Sequence, residues 1–238
     1  MQGQRLIGLD LIRSAALLSM VAYHFTYDLD LFGLIPRYTS VTGFFWWHAR
    51  LTAGSFIFLA GLSLWLAHGA AIRWPAFWKR FAKIAAGAAA VSLATYIAMP
   101  QLTVFYGILH SIAVSSLIGL AALRLPALLT ALLAIMVFAL PYVVQSPLFD
   151  HWLIWTGLGS YKPATADFLP LFPWLAPLLA GVAAGKAISH FGLWPWFKAP
   201  STPLTRALAW PGRHTLAIYL LHQPLLIGAF NLYFWALR

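Results

Sequence analysis

The sequence predicts an all-α, polytopic bundle of about seven transmembrane helices with a cytoplasmic N-terminus. Of its 238 residues, 62% are hydrophobic and only 8% are charged, which is too little charge for the surface of a soluble domain of this size. Apolar runs long enough to cross a bilayer recur along the chain. The basic residues collect in the short gaps on one side of that bilayer, as they do in multi-pass membrane proteins.

Apolar windows of about 20 residues define the individual spans. The third span is short and rich in Ala and Gly, so we expect it to be buried between other helices. The apolar stretch 148–155 is too short to cross and is expected to be interfacial or re-entrant. With no linker or low-complexity tract, we treat 1–238 as a single domain. The predicted spans are 7–27, 44–67, 84–99, 103–123, 127–144, 168–188 and 214–236.

The distribution of Lys and Arg orients the bundle. With the N-terminus inside, ten basic residues fall on the cytoplasmic side and three on the outer side, as the positive-inside rule requires. The net charge of +10 does not indicate a nucleic-acid partner, because the basic residues form no separate domain. The cytoplasmic residues are Arg5, Arg73, Lys79, Arg80, Lys83, Arg124, Lys186, Lys198, Arg206 and Arg213, and the outer ones are Arg37, Lys162 and Arg238.

The first span carries ionisable residues on one face. Ten residues separate Arg13 from His24, which places them about 20° apart around a helix and about 16 Å apart along it. Asp10 is spaced to pair with Arg13, and Asp28 is spaced to orient the His24 imidazole. These residues interrupt the apolar run, so we interpret the segment as a retained helix rather than a cleaved signal. Ionisable groups within a membrane indicate a functional site, the alternative being a structural ion pair with an interfacial histidine.

Polar residues interrupt three other spans. His48 and Arg50 lie near the outer end of the second span, and His110 lies in the outer half of the fourth. His222 lies deeper in the last span, beside Pro224, which is expected to kink the helix. Each place also has a structural alternative. Arg50 could reach the outer headgroups, His110 could form a hydrogen bond across helices, and the kink at His222 could serve packing alone. A water-filled path lined by these groups is the simplest functional hypothesis.

Several of these motifs resemble a known family. Asp10-x-x-Arg13 followed by His24 resembles the first-helix signature of integral-membrane acyltransferases. In particular, the chain resembles bacterial relatives of the heparan-α-glucosaminide N-acetyltransferase catalytic domain. Ser14 departs from the pattern, since such proteins usually have Gly after the arginine. The resemblance spans nearly the whole chain, with further similar stretches at 24–33, 55–61, 106–110, 168–174 and 219–224.

The resemblance implies a transferase of the bacterial inner membrane. Such an enzyme would move an acyl group, usually acetyl, from cytoplasmic acyl-coenzyme A to an amino sugar or glycan on the far side. The resemblance also implies an essential histidine beyond the first helix, which makes His48 a rival to His24. Acetyl-coenzyme A is then the donor substrate, with the acceptor and the lipid bilayer as the other partners. The sequence leaves the oligomeric state open, with a homo-oligomer as one possibility.

The chemistry of the residues fits this reaction. An imidazole has an unperturbed pKa of about 6.5, which suits a general base acting on an acceptor hydroxyl or amine. We expect no metal, and the absence of cysteine excludes thiolate catalysis and Cys-based metal sites. Our candidate catalytic residues are His24, His48, Arg50 and His110, with Arg50 or His110 stabilising the oxyanion, and our candidate donor-binding residues are Asp10, Arg13 and His222.

The sequence is also compatible with two other classes of protein. A transporter or channel for small solutes would also line its path with polar groups, although seven spans without a clear repeat are unusual for repeat-built carriers. A haem protein with paired histidines is the third reading, and Soret absorbance of the purified protein would test it.

Overall fold

The computed structural model describes residues 6–237, so that Arg5 and Arg238 of the charge count lie outside the described residues. Within this range the chain forms eight α-helices and five short 3-10 segments, with no strand beyond an isolated bridge between Tyr106 and Phe168. The all-α class is therefore confirmed. The helices are α1 Ile7–Leu31, α2 Gly43–His68, α3 Trp74–Ala98, α4 Ile108–Ala122, α5 Ala127–Val143, α6 Leu171–His190, α7 Pro203–Arg213 and α8 Thr215–Ala236.

Each predicted span corresponds to a helix, but the helices differ in their capacity to cross a bilayer. Among the described residues, four helices are long and apolar enough to span: α2, α3, α6 and α8. Helix α1 has 25 residues, yet its ionisable side chains lower its hydropathy. Helices α4 and α5 are apolar but shorter, with 15 and 17 residues. The apolar helices indicate a membrane protein, while the count of seven crossings and the orientation stay predictions.

Two elements differ from the sequence prediction. Helix α3 begins at Trp74 rather than at residue 84, and only 17% of its most apolar stretch is buried. The expectation that this span is buried between other helices is therefore wrong, because Leu93 and Ile97 project outward with 60% and 73% exposure. Helix α7 was not predicted, since its 11 residues are too few for a spanning window.

The stretch 148–155 forms no spanning element. It folds into two 3-10 helices, Pro147–Phe149 and His151–Thr156. The prediction that this apolar segment is too short to cross is confirmed.

The described residues form two compact units. One comprises the residues up to Phe56 together with those from Leu193 onward, and the other is Ile57–Gly192, so the boundary falls within α2. In the first unit α1 packs against α7 and α8. In the second, α6 packs against α4 and α5, and α3 packs against α4. The single domain stays a prediction.

Glycines set the close helix packing of the second unit. A Cβ on Gly61 would collide with the Leu178 carbonyl, and a Cβ on Gly181 would collide with the Phe58 carbonyl. The backbones of α2 and α6 therefore touch at two reciprocal points, which only residues without a side chain permit. The small-residue stretch 55–61 is in this respect a packing motif.

Candidate functional site

The cytoplasmic end expected for α1 holds a buried carboxylate between two arginines. The Asp10 side chain is 2% exposed and accepts a 2.9 Å bond from Arg13 Nη1, as its spacing predicts. Its second oxygen lies 3.5 Å from Nε of Arg213, at the end of α7. Among residues 6–237, two guanidinium groups thus flank one carboxylate, an arrangement suited to an anionic ligand.

Helix α7 is held against α1 by a close backbone contact. The hydroxyl of Ser14 accepts a 2.8 Å hydrogen bond from the Gly212 N–H. A Cβ on Gly212 would collide with the carbonyl oxygen of Asp10, so only glycine allows this approach. Ser14, which departs from the family pattern, therefore docks the helix that brings Arg213 to the carboxylate.

His48 lies against the middle of α1. Its Nε2 is 2.8 Å from Ser19 Oγ, which is in turn 2.7 Å from Thr52 Oγ1. Its Nδ1 is buried and has no hydrogen-bond partner among the described residues. The Tyr23 ring meets His48 edge-on, with 5.9 Å between centroids.

His24 and His222 lie directly against each other. Their ring centroids are 4.7 Å apart, and the ring planes meet at 74°. The sequence places His222 deeper, with the donor-binding residues, whereas the structure brings it to His24 on α1. The ring centroids of Tyr23 and His24 are 5.4 Å apart, so the rings of α1, α2 and α8 form one aromatic cluster.

The hydrogen bonds of these two rings assign their tautomers. His24 Nδ1 lies 3.0 Å from the Met20 carbonyl, and His222 Nδ1 lies 2.6 Å from the Tyr219 carbonyl. A carbonyl can only accept, so each Nδ1 carries the proton and donates it. In the neutral rings each Nε2 then keeps a lone pair, and His222 Nε2 is buried with no partner within residues 6–237. Both rings are therefore set up as bases.

Asp28 does not orient His24, and that expectation is wrong. Its carboxylate accepts a 2.7 Å hydrogen bond from Gln223 Nε2 on α8 instead. The imidazole proton of His24 is already donated to Met20, one turn earlier, because helical side chains lean toward the N-terminus. The Gln223 amide thus supplies one donor, to Oδ1 of the carboxylate.

Arg50 turns back along α2. Its Nη1 donates to the Trp46 carbonyl at 3.2 Å, and its guanidinium stacks 3.4 Å above the Trp46 ring. This direction leads to the N-terminal end of α2, the expected outer end, as in the alternative in which the arginine reaches the headgroups.

His110 belongs to the second unit, where both ring nitrogens are engaged. Its Nδ1 accepts a 3.2 Å bond from the Gly107 N–H at the start of α4. The Ser92 hydroxyl donates to the Val104 carbonyl, which leaves Ser92 Oγ to accept from His110 Nε2 at 3.3 Å. This network assigns the proton to Nε2 and leaves no free lone pair, so the geometry is that of a helix cap.

A loop carboxylate also caps α4. Asp167 Oδ2 accepts a 2.9 Å bond from the Ile108 N–H. Burial raises the pKa of Asp167 to about 6, against the opposing effect of this hydrogen bond. Asp150 similarly holds the turn at Ser160. Asp167 thus stabilises the start of α4, and Asp150 stabilises the loop at Ser160.

Sequence reasoning missed two residues that complete the site. Arg213 counts only as a loop charge in the sequence, because α7 has no spanning signal. The only signal for Ser19 is that it is a polar residue in an apolar run. Within the part of the chain that the structure describes, no three His, Asp, Glu or Cys side chains group as metal ligands.

A comparison with protein families decides the identity. The family model described as heparan-alpha-glucosaminide N-acetyltransferase, catalytic, matches residues 5–224. The chain belongs to this family. The match includes His24 and the α8 segment with His222 and Gln223. Comparisons with curated proteins and with solved structures find no match.

Membership in the heparan-alpha-glucosaminide N-acetyltransferase catalytic family indicates an enzyme of the acetyltransferase type. It also agrees with the apolar helices, because the family is embedded in membranes. The resemblance that the sequence motifs indicate is confirmed.

Proposed function

We propose that this protein is a transmembrane acetyltransferase of a bacterial inner membrane. It moves an acetyl group from cytoplasmic acetyl-coenzyme A to an extracytoplasmic amino sugar or glycan. The observation that carries the proposal is the His24–His222 pair, whose Nδ1 protons are both tied to carbonyls. This leaves two basic Nε2 atoms side by side, one on α8 and one on α1, the helix that also carries Arg13, within a chain of an acetyltransferase family.

The donor binds at the arginine end of α1. Arg13 and Arg213 bring two guanidinium groups to this end of the helix, and guanidinium groups suit the phosphates of coenzyme A. Asp10 holds both guanidinium groups in place. About 16 Å of helix separates Arg13 from His24, and the extended pantetheine arm carries the thioester along it, so that no charged group crosses the lipid.

The chemical step takes place at the histidine pair. The neutral acceptor nitrogen or oxygen attacks the thioester carbonyl, and His24 Nε2 accepts the proton that the acceptor loses. The C–S bond then breaks, and His24 returns the proton to the coenzyme A thiolate. Of the two candidate oxyanion donors, Arg50 belongs to the same unit as the histidine pair, and we assign this role to it. The engagement of both His110 nitrogens supports a capping role for that residue instead.

The alternative to direct transfer is a mechanism with a covalent acetyl-histidine intermediate. In it, His24 Nε2 attacks the thioester, coenzyme A leaves, and the acceptor takes the acetyl group from the imidazole. Incubation with labelled acetyl-coenzyme A without acceptor, followed by rapid quenching and peptide mapping, would show label on His24. Label only on added acceptor supports direct transfer.

Turnover in sealed vesicles tests the function. Proteoliposomes receive labelled acetyl-coenzyme A on one side and glucosamine on the other, and acetylglucosamine is quantified. We expect product only when the donor is on the cytoplasmic face. His24→Gln should abolish it, while the exposed His190→Gln should not. Unchanged activity of His24→Gln would remove His24 from the mechanism.

The same preparation tests the transporter alternative. An acetyltransferase should be thermally stabilised by coenzyme A. Stabilisation by sugars or ions alone, together with flux of unmodified glucosamine, would favour a transporter.

A further inference from the structure

Three hydrogen-bond acceptors between α1 and α8 are buried without a donor. They are Oδ2 of Asp28, Oε1 of Gln223 and Nε2 of His222, and none has a hydrogen-bond partner within residues 6–237. Asp28 is 0% exposed and His222 is 8% exposed. Buried polar atoms in native proteins almost always have partners, so a group of three unpaired acceptors indicates a missing donor.

The charge of Asp28 is also unbalanced. Its one described hydrogen bond comes from the neutral amide of Gln223. The ion pairs that the described residues form, Asp10 with Arg13 and with Arg213, do not include it. A buried carboxylate without a cation is costly, and within a membrane such a group marks a ligand site. The missing donor should therefore carry a positive charge.

The orientation of each group is fixed by its existing bond. A carboxylate only accepts, so Gln223 must turn its Nε2 toward Asp28 and keep its Oε1 as an acceptor. The Tyr219 carbonyl likewise fixes the proton of His222 on Nδ1, which leaves Nε2 as an acceptor. A primary ammonium group supplies three N–H donors and one positive charge. A hydroxyl supplies one donor and no charge.

We propose that Asp28, Gln223 and His222 form a subsite that binds the acceptor as a primary ammonium ion and selects amines over alcohols. This inference rests on the proposed function and names the substrate group that the site holds. His222 Nε2 takes one proton from the ammonium and releases it to the outer aqueous side. The neutral amine then attacks the thioester, and His24 passes its second proton to the departing thiolate. The products are the amide, coenzyme A and one proton.

Equilibrium binding tests the subsite without catalysis. Protein in lipid nanodiscs is titrated with glucosamine and with glucose, which differ at one amino group. Wild type should bind glucosamine at least tenfold more tightly. Asp28→Asn keeps the shape and removes the charge, so it should lose at least tenfold in glucosamine affinity with glucose unchanged. Asp30→Asn is the matched control, because that carboxylate is already engaged by Ser40 and Tyr38.

A second variant keeps the proposal testable if Asp28→Asn does not fold. Gln223→Met removes the Oε1 acceptor together with the Nε2 donor that holds Asp28, and it leaves the carboxylate charge, so it should weaken glucosamine binding about threefold to tenfold. Unchanged glucosamine affinity in a folded Asp28→Asn protein would overturn the subsite, and so would equal affinity of wild type for the two sugars. If Asp28→Asn does not fold, unchanged affinity in Gln223→Met overturns it.

The outcome separates this inference from the proposed function. Loss of amine binding in Asp28→Asn, in a protein that acetylates no acceptor, supports the subsite and contradicts the acetyltransferase. Acetyl transfer by wild type together with normal amine binding by Asp28→Asn supports the acetyltransferase and contradicts the subsite.

Discussion

The rings of His24 and His222 approach to 4.7 Å between centroids, and each donates its Nδ1 proton to a carbonyl of its own helix. Both Nε2 atoms are therefore lone-pair donors in one small volume. Two positive charges at this distance oppose each other, so the pair takes up at most one proton beyond the two that its Nδ1 atoms already carry. The pair should act as a unit.

The first prediction concerns this unit. His24→Gln and His222→Gln should each lower kcat by about 10²–10⁴-fold, as expected for loss of general-base catalysis. Because the two rings act in the same proton transfers, their effects should not multiply. The kcat of the double variant should therefore lie within about tenfold of the kcat of the worse single variant. Steady-state acetyl transfer to glucosamine measures this. A double variant whose loss equals the product of the single losses would show that the rings act independently.

His110 is predicted to stabilise the fold rather than to catalyse. His110→Ala removes the acceptor for the Gly107 N–H and the donor to Ser92, so the protein should lose about 1–2 kcal/mol of stability, as for a lost helix cap. Thermal unfolding in detergent measures the loss. The kcat per folded molecule should stay within about threefold of wild type. A hundredfold lower kcat in fully folded His110→Ala would restore it as a catalytic residue.

The sequence predicts what depends on local spacing and misses what depends on packing. The Asp10–Arg13 pair follows from a three-residue spacing and is present. The contact between His24 and His222 joins faces of helices about 200 residues apart in the chain, and periodicity within each helix does not tell which faces meet. Asp28 shows the same limit, because its helical spacing allows a bond to His24 that a donor from α8 displaces.

Helix length explains the remaining differences. Helix α7 has 11 residues and is mostly polar on one side, so a hydropathy window of about 20 residues does not detect it. Helix α3 extends into a basic, tryptophan-rich segment that lowers the hydropathy of its first turns and hides its start. The residues that these segments contribute, Arg213 above all, were therefore assigned to loops.

Asp167 gives the protein a pH-dependent stability. Burial raises its pKa from 3.8 to about 6 in the folded protein. The folded state therefore holds this proton more tightly than the unfolded state, and the contribution to stability, fully present below pH 3.8, is lost as pH rises through 6. The Tm difference between wild type and Asp167→Asn should fall between pH 4 and pH 7. A difference that stays constant or rises over this range would contradict the burial argument.

Lys186 is predicted to stabilise the second unit. Its buried ammonium donates to the carbonyls of Ala122 and Leu125 and to Thr130 Oγ1, which closes the C-terminal end of α4. Lys186→Met leaves these acceptors without their charged donor, and we expect a loss of about 2–4 kcal/mol. Lys79→Met, at an exposed position, is the control. Equal melting temperatures for the two variants would show that the capping bonds contribute nothing.

The docking of α7 is predicted to control donor affinity. Gly212 packs so closely on Asp10 that a single added methyl group collides with the Asp10 carbonyl. Gly212→Ala should therefore push α7 away from α1, break the Ser14 hydrogen bond and withdraw Arg213 from the carboxylate. Because Arg213 supplies one of the two guanidinium groups of the proposed donor site, KM for acetyl-coenzyme A should rise about tenfold with little change in kcat.

Gly228→Ala is the matched control for this change. A Cβ at Gly228 meets nothing within 4 Å, so the same substitution in α8 should leave both constants unchanged. Arg213→Gln should reproduce the rise in KM without moving the helix, since it removes the charge and keeps the backbone contact. If Gly212→Ala raises KM and Arg213→Gln does not, then α7 acts on the donor site through its position. If neither variant raises KM, the arginine end of α1 does not bind the donor.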